Sequence, residues 1–311
     1  MTISIRHAVL AGLASVALVL AGAVPAAAVV ERPTFLCSAL LAGQGSGYVT
    51  GRVEGDLVVD ASCAVGSATV TGDVLFDGAY FLGIYSSTIE GDVRPAEGRD
   101  VGRVEAYGSV FGGDLTLGPV ARVGGASIGG DLVLRATPDV PQRPAEFWEA
   151  YIDDAVVDGS VRGSTRALTL ERVEVAGSYD VAATGIARLR RTTVDGDVAA
   201  RGDSRVVVHD AVVGGSFTAD GTQDLLLCRG EVGGDLTVRG VRVWSRVGEE
   251  GTLLCRSRVG GSLHVVDNPS TVVVGSVRVA GDLLCSGNTG SRVVVQRPVL
   301  VVEGTRTGQC A

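Results

Sequence analysis

The sequence has no lysine. All 27 of its basic side chains are arginine, set against 35 acids, and the formal net charge is −8. A chain this acidic gains little from displacing counterions off a phosphate backbone, so nucleic acid is excluded as an expected partner. Aromatic residues make up only 5% of the chain, two of them tryptophan. No Cys-x-x-Cys occurs, so a zinc or dithiol redox site lacks its residues. His-Glu-x-x-His is missing as well, which removes the corresponding metalloprotease chemistry. On these grounds no metal and no cofactor is expected.

What is present begins with an export signal. A short leader carrying Arg6 precedes an apolar run from Ala8 to Val24, and Ala26-Ala27-Ala28 supplies the small residues that a signal peptidase accepts. Residues 1–28 are read as a signal peptide. The mature chain is expected to be secreted, extracellular and without a membrane span. All six cysteines lie beyond that point. An even count in an exported chain points to disulfides.

Glycine occurs 45 times, and it falls into a pattern. The unit is apolar, any residue, Gly, Asp or Ser, apolar, as in Val53-Glu54-Gly55-Asp56-Leu57 and Val70-Thr71-Gly72-Asp73-Val74. Its glycines are Gly55, Gly72, Gly91, Gly113, Gly130, Gly159, Gly177, Gly196, Gly215, Gly234, Gly261 and Gly281. Most gaps between them are 17 to 20 residues, and two are 29 and 27. A second apolar signal, about twelve residues after the leading apolar residue, gives Val65, Leu82, Val101, Val123, Val206 and Leu225. A second glycine column, at Gly78, Gly202, Gly221, Gly240 and Gly287, is expected to turn a corner at positive φ.

A coil of this length cannot bury its apolar face alone, whereas stacked coils bury a continuous core. Glycine at this frequency would cost a helix about 1 kcal/mol each time. The pattern therefore predicts an all-β chain: a single-stranded parallel β-helix, or solenoid, right-handed, of about twelve rungs of roughly nineteen residues. At roughly 4.8 Å per rung that is a rod on the order of 58 Å long. The expected layout is an N-terminal cap segment over 29–52, the solenoid over 53–284, insertions near 135–155 and 241–254, and a disulfide-closed C-terminal cap over 285–311.

Position in the repeat also pairs the cysteines. Cys228 and Cys255 each lie six residues before a repeat glycine, so they stack on successive rungs within disulfide reach. The others then pair by proximity, Cys37 with Cys63 and Cys285 with Cys310. Covalently closed ends suit a monomer.

The residue after each repeat glycine is read as turn-forming, because Asp and Ser bond nearby backbone N–H groups. Stacked at one-rung steps, Asp56, Asp73, Asp92, Asp114 and Asp131 should repel one another and raise their pKa values. The two insertions hold both tryptophans, Trp148 and Trp244, and beside them Tyr151, Asp153 and Asp154. Aromatic residues next to carboxylates on a rigid frame suit a carbohydrate platform, with cell-wall or extracellular polysaccharide as the candidate partner; the expectation weighed against it is a loop that packs Trp148 down on the side of the solenoid. As catalysts, Asp153 and Asp154 would have to work with Glu249 and Glu250. Those two insertions lie five rungs apart, roughly 24 Å, beyond the roughly 5–9.5 Å of paired glycosidase carboxylates.

The Val-x-Gly-Asp-Leu/Val rungs resemble those of the bactofilins, polymer-forming β-helix proteins, over roughly residues 50 to 285. The resemblance implies a stacked β-helix and a self-assembling scaffold. The stretch from Cys285 to Cys310 also resembles the ends of secreted actinobacterial β-solenoid proteins of unknown role. The function expected from the residues is that of a secreted, non-catalytic structural or interaction solenoid. The alternatives are a polysaccharide-binding or polysaccharide-processing β-helix and a bactofilin-like scaffold.

Overall fold

Val198, Phe217 and Leu236 occupy the same point on three successive turns of one coil, each hydrogen-bonded in parallel to the next. A computed structural model describes residues 32–45, 47–136, 149–202, 204–242, 252–289, 293–295 and 300–311. The expected signal peptide lies outside the described residues.

Arg32 to Ala311 form one compact unit, a parallel β-solenoid of about 13 turns. A representative turn has three strands: Thr193–Val194 on a narrow first face, Val198–Arg201 on a second, and Arg205–His209 on a third. The next turn repeats them nineteen residues on, as Val212–Val213, Phe217–Asp220 and Asp224–Cys228. Alternation at period two sends Val194, Val198, Ala200, Val206 and Val208 inward, where all five are buried. Stacking these sets fills one core along the axis.

The second glycine column turns the corner between the second and third faces. All five of its members have positive φ, from 63° at Gly240 to 93° at Gly202. The other strong corner, between the third and first faces, has glycine on two turns, at Gly108 and Gly125, and larger residues on others. It holds Arg172, Arg191, Asp210, Arg229 and Arg256 in the left-handed region, where most residues are strained by roughly 1–2 kcal/mol.

The apolar signal of the third face needs one correction. Val101 is buried but lies outside the strand. The residue that pairs with Leu82 is Val104, and Val65 and Val123 belong with Ile84 rather than with Leu82. A fixed count from the leading residue slips because turns differ in length at the second corner. The inward parity is kept in each strand.

Both long gaps leave the coil at that same corner. Ala121–Gly124 pairs with Ala150–Asp153, and Leu225–Cys228 with Thr252–Cys255, so the register resumes after each insertion. The coil also extends past residue 284. Val301–Val302 and Arg306–Gly308 pair onto Arg278–Val279 and Leu283–Cys285. Gly304, which would carry the repeat glycine's role there, contacts Asp282 as the earlier glycines contact their own aspartates. At the other end, Thr34–Leu36 pairs with Asp56–Val58, and helix Cys37–Gln44 packs on the first strands.

Three disulfides join Cys37 to Cys63, Cys228 to Cys255 and Cys285 to Cys310, with Cα–Cα distances of 6.2, 4.6 and 5.4 Å. They are the pairs expected from repeat position and proximity.

Candidate functional site

Strand Glu149–Asp153 lies on the third face and buries Ala150 and Ile152. Glu149, Tyr151 and Asp153 therefore point outward, and Asp154 follows at the left-handed corner with φ 50°. One turn on, Arg172 stands at the position equivalent to Asp154 and reaches back. Its Nε donates to Asp154 Oδ1 at 2.6 Å, and its Nη2 to Asp154 Oδ2 at 3.0 Å and to Asp153 Oδ1 at 2.6 Å. Its Nη1 donates to Glu171 Oε1 at 3.1 Å. The hydrogen bond from Arg172 holds the Asp154 carboxyl below its usual range. Tyr151 Oη donates to Glu171 Oε2 at 3.2 Å, and burial followed by the charges of Asp153 and Glu171 raises the phenol's pKa. Of the residues singled out in sequence, Tyr151, Asp153 and Asp154 are thus brought together, in a network centred on Arg172. Trp148, Trp244, Glu249 and Glu250 lie outside the described residues.

The same face carries an aromatic strip that the insertions did not point to. Tyr85 and Tyr107 are register partners on adjacent turns, and their rings stack with centroids 6.2 Å apart and planes within 8°. Tyr48 meets Tyr85 edge-on at 6.3 Å. Each ring lies over a glycine. A Cβ on Gly66 would come within 3.1 Å of the Tyr48 ring, one on Gly83 within 2.6 Å of Tyr85, and one on Gly124 within 3.1 Å of Tyr107. The missing side chains let the rings lie close against the sheet. Tyr48 and Tyr107 remain 46% and 40% exposed. Glu105 sits between them and the next turns. It accepts from Tyr85 Oη at 3.4 Å, is paired with Arg103, and is register partner of the exposed Arg122.

These features share one column of outward positions. Six residues before the repeat glycines stand Gly66, Tyr85, Tyr107, Gly124, Asp153, Glu171, Arg190, His209, Cys228 and Cys255. The count that pairs the cysteines would also have stacked Tyr85 on Tyr107.

The Asp and Ser column behaves differently from a turn. Each side chain accepts the backbone N–H of its counterpart on the next turn, not one in its own turn. Asp73 Oδ1 takes Asp92 N–H at 3.0 Å, Asp131 takes Ser160 at 2.8 Å, and Asp282 takes Thr305 at 2.7 Å. Ser160, Ser178, Ser216 and Ser262 do the same with Oγ. The expected rise in pKa is overturned for Asp131, whose pKa is lowered, first by the Ser160 N–H and then by Arg162. Arginines also reach the column at Asp73 and Asp131. The charge is met by N–H groups and guanidinium. Among the described residues no three His, Cys, Asp or Glu side chains converge on a metal position.

A Gly-x-Ser-x-Gly string occurs at Gly125 to Gly129. Ser127 lies in a two-residue parallel strand between Val110 and Val156. It has neither the following helix nor the strand-to-helix turn that exposes a nucleophile.

No protein-family model, curated protein or solved structure matches the chain. The likeness to bactofilins therefore reaches only as far as the parallel β-solenoid itself. Among the described residues no helix is long and apolar enough to cross a membrane.

Proposed function

We propose that this protein is an extracellular, non-catalytic rod that binds polysaccharide on its third face. The observation that carries this reading is the stacked Tyr85–Tyr107 pair, laid over Gly83 and Gly124 and flanked by Glu105 and Arg122. Flat aromatic rings accept the apolar face of a sugar, and charged planar groups beside them take its hydroxyls. Three disulfides support a place outside the cell, where such bonds persist. The carboxylates on this face support binding over cleavage. Arg172 pairs with Asp153, Asp154 and Glu171 and holds the Asp154 carboxyl below its usual range, whereas an acid catalyst needs a carboxyl that keeps its proton at working pH.

Incubating the purified protein with polysaccharides and sizing the chains tests this. Retention of the polymer at unchanged chain length is expected, whereas new reducing ends would refute the non-catalytic reading. Sedimentation as a monomer is expected too, and long filaments would favour the bactofilin-like scaffold instead.

A further inference from the structure

A second surface, on a different side of the rod, has the character of a binding site. On the later turns the left-handed corner and the outward residue of the short strand are separated by a buried residue, at Ala211, Gly230, Ser257 and Val277. A groove of about 640 Å³ lies along these turns. Its floor is Gly230 and Ser257, both buried. Ser257 Oγ is fixed there, accepting Gly230 N–H at 3.2 Å and lying 2.9 Å from Cys255 O. One wall is Arg229 and Arg256 on successive turns, and the other is Arg258 and Arg278 on successive turns.

The acids stand toward the two ends of this array. Arg229 is held by Asp210 at 2.7 Å and Arg278 by Glu303 at 2.7 Å. The middle turn, residues 252–262, contains Arg256 and Arg258 and no acid at all. Arg258 has only a 3.8 Å contact with Glu231, and Arg256 makes no ion pair among the described residues. Two guanidinium groups therefore face one groove with little compensation, in a chain that is acidic overall. Their frame is covalent. The disulfide joins Cys228 and Cys255, the residues immediately before Arg229 and Arg256. Both of these arginines sit at positive φ, 55° and 49°, a region that favours glycine.

We infer that this groove binds a linear acidic polysaccharide, with a carboxylate of the chain held between Arg256 and Arg258. Guanidinium forks match carboxylates in paired hydrogen bonds. The groove follows the rod axis, which suits a linear polymer. One unpaired guanidinium, Arg256, beside the weakly paired Arg258 matches the sparse charge of a sugar acid chain. A densely charged phosphate polymer would need many more, and the acidic rod repels it. The exposed Val212 and Val301 line the same groove and offer apolar surface to sugar rings.

The test is titration of the full protein with polygalacturonate, with dextran, polyphosphate and single-stranded DNA alongside. Wild type is expected to bind polygalacturonate, more weakly as salt rises, and not dextran at this groove. Arg256→Gly with Arg258→Ala should weaken polygalacturonate at least about tenfold, with the melting temperature kept because glycine suits the corner. Arg201→Ala removes an exposed guanidinium on the second face, outside both this groove and the tyrosine strip, and should leave it unchanged. The inference is overturned if wild type does not bind polygalacturonate, or if the double variant binds it as well as wild type. Loss of that binding in Arg201→Ala, or tighter binding of polyphosphate or DNA, also overturns it.

Discussion

Asp131 and Gly159 fit together only as a pair. They are 28 residues apart in sequence, on either side of an insertion, yet they lie on adjacent turns. Asp131 Oδ1 accepts the N–H of Ser160 at 2.8 Å, and a Cβ on Gly159 would stand 2.5 Å from that same oxygen. The glycine of one turn makes room for the acceptor of the turn before. Gly159→Ala is expected to cost about 1–3 kcal/mol by overpacking. Asp131→Ala should cost about 1–2 kcal/mol by leaving an N–H without its acceptor, whereas Asp131→Ser should come close to wild type. The double variant Asp131→Ala, Gly159→Ala should not recover, because the Cβ also meets Gly130 O at 2.6 Å. Urea unfolding of the four variants checks this, and a neutral Gly159→Ala would contradict it.

The same ladder sets an acid limb of stability. Backbone N–H groups of Ser160 and Thr305 lower the pKa values of Asp131 and Asp282 in the folded protein. A carboxyl depressed on folding contributes fully above its unfolded pKa, about 3.9, and loses that contribution as pH falls through the folded value. The melting temperature should therefore decline below about pH 4. In Asp131→Ser that decline should be shallower. Identical slopes between pH 2 and 6 would show that the carboxylate is not engaged.

The coil, its period and the Cys228–Cys255 bond were legible in the sequence because each depends on residues recurring at one step, and the two end disulfides then followed by proximity. The Gly-Asp pattern was legible too, but not its reason. Asp131 and Ser160 look like turn residues when read along the chain, and their bond runs across turns. The tyrosine strip was missed for a related cause: Tyr85 and Tyr107 are 22 residues apart, in a turn longer than its neighbours. Nothing in local sequence marks Arg172 as the residue that ties down Asp153 and Asp154. That contact depends on a corner position one turn away.

Access separates the disulfides. Cys37, Cys63, Cys285 and Cys310 are buried, whereas Cys228 and Cys255 point outward on the third face and are half-buried. Under native conditions a mild reductant should open Cys228–Cys255 first, as differential alkylation would read out. Cys228→Ser with Cys255→Ser should cost about 3 kcal/mol, the chain-entropy value for a loop of this length. Earlier alkylation of Cys63 or Cys285 would contradict the order.

Tyr179 is fully buried and its hydroxyl has no hydrogen-bond partner among the described residues. Burial, and after it the charge of Asp180, pushes its pKa well above the usual phenol range. An unpartnered buried hydroxyl opposes folding by about 1–3 kcal/mol. Tyr179→Phe is therefore expected to stabilise the protein by about 1 kcal/mol in denaturant unfolding. A destabilised variant would mean that the hydroxyl is bonded.

The tyrosine strip is where binding is placed, and glycan binding by wild type and by Tyr85→Ala, Tyr107→Ala protein is the measurement that bears on it most directly. Stacking on the exposed Tyr107 and half-buried Tyr85 rings contributes about 1–3 kcal/mol, or roughly ten- to a hundredfold in affinity. The account predicts that the wild-type protein retains at least one cell-wall or extracellular polysaccharide, and that the double variant loses that retention while keeping its melting temperature within a few degrees. Equal retention by the folded double variant, or no retention of any polysaccharide by wild type, would contradict it.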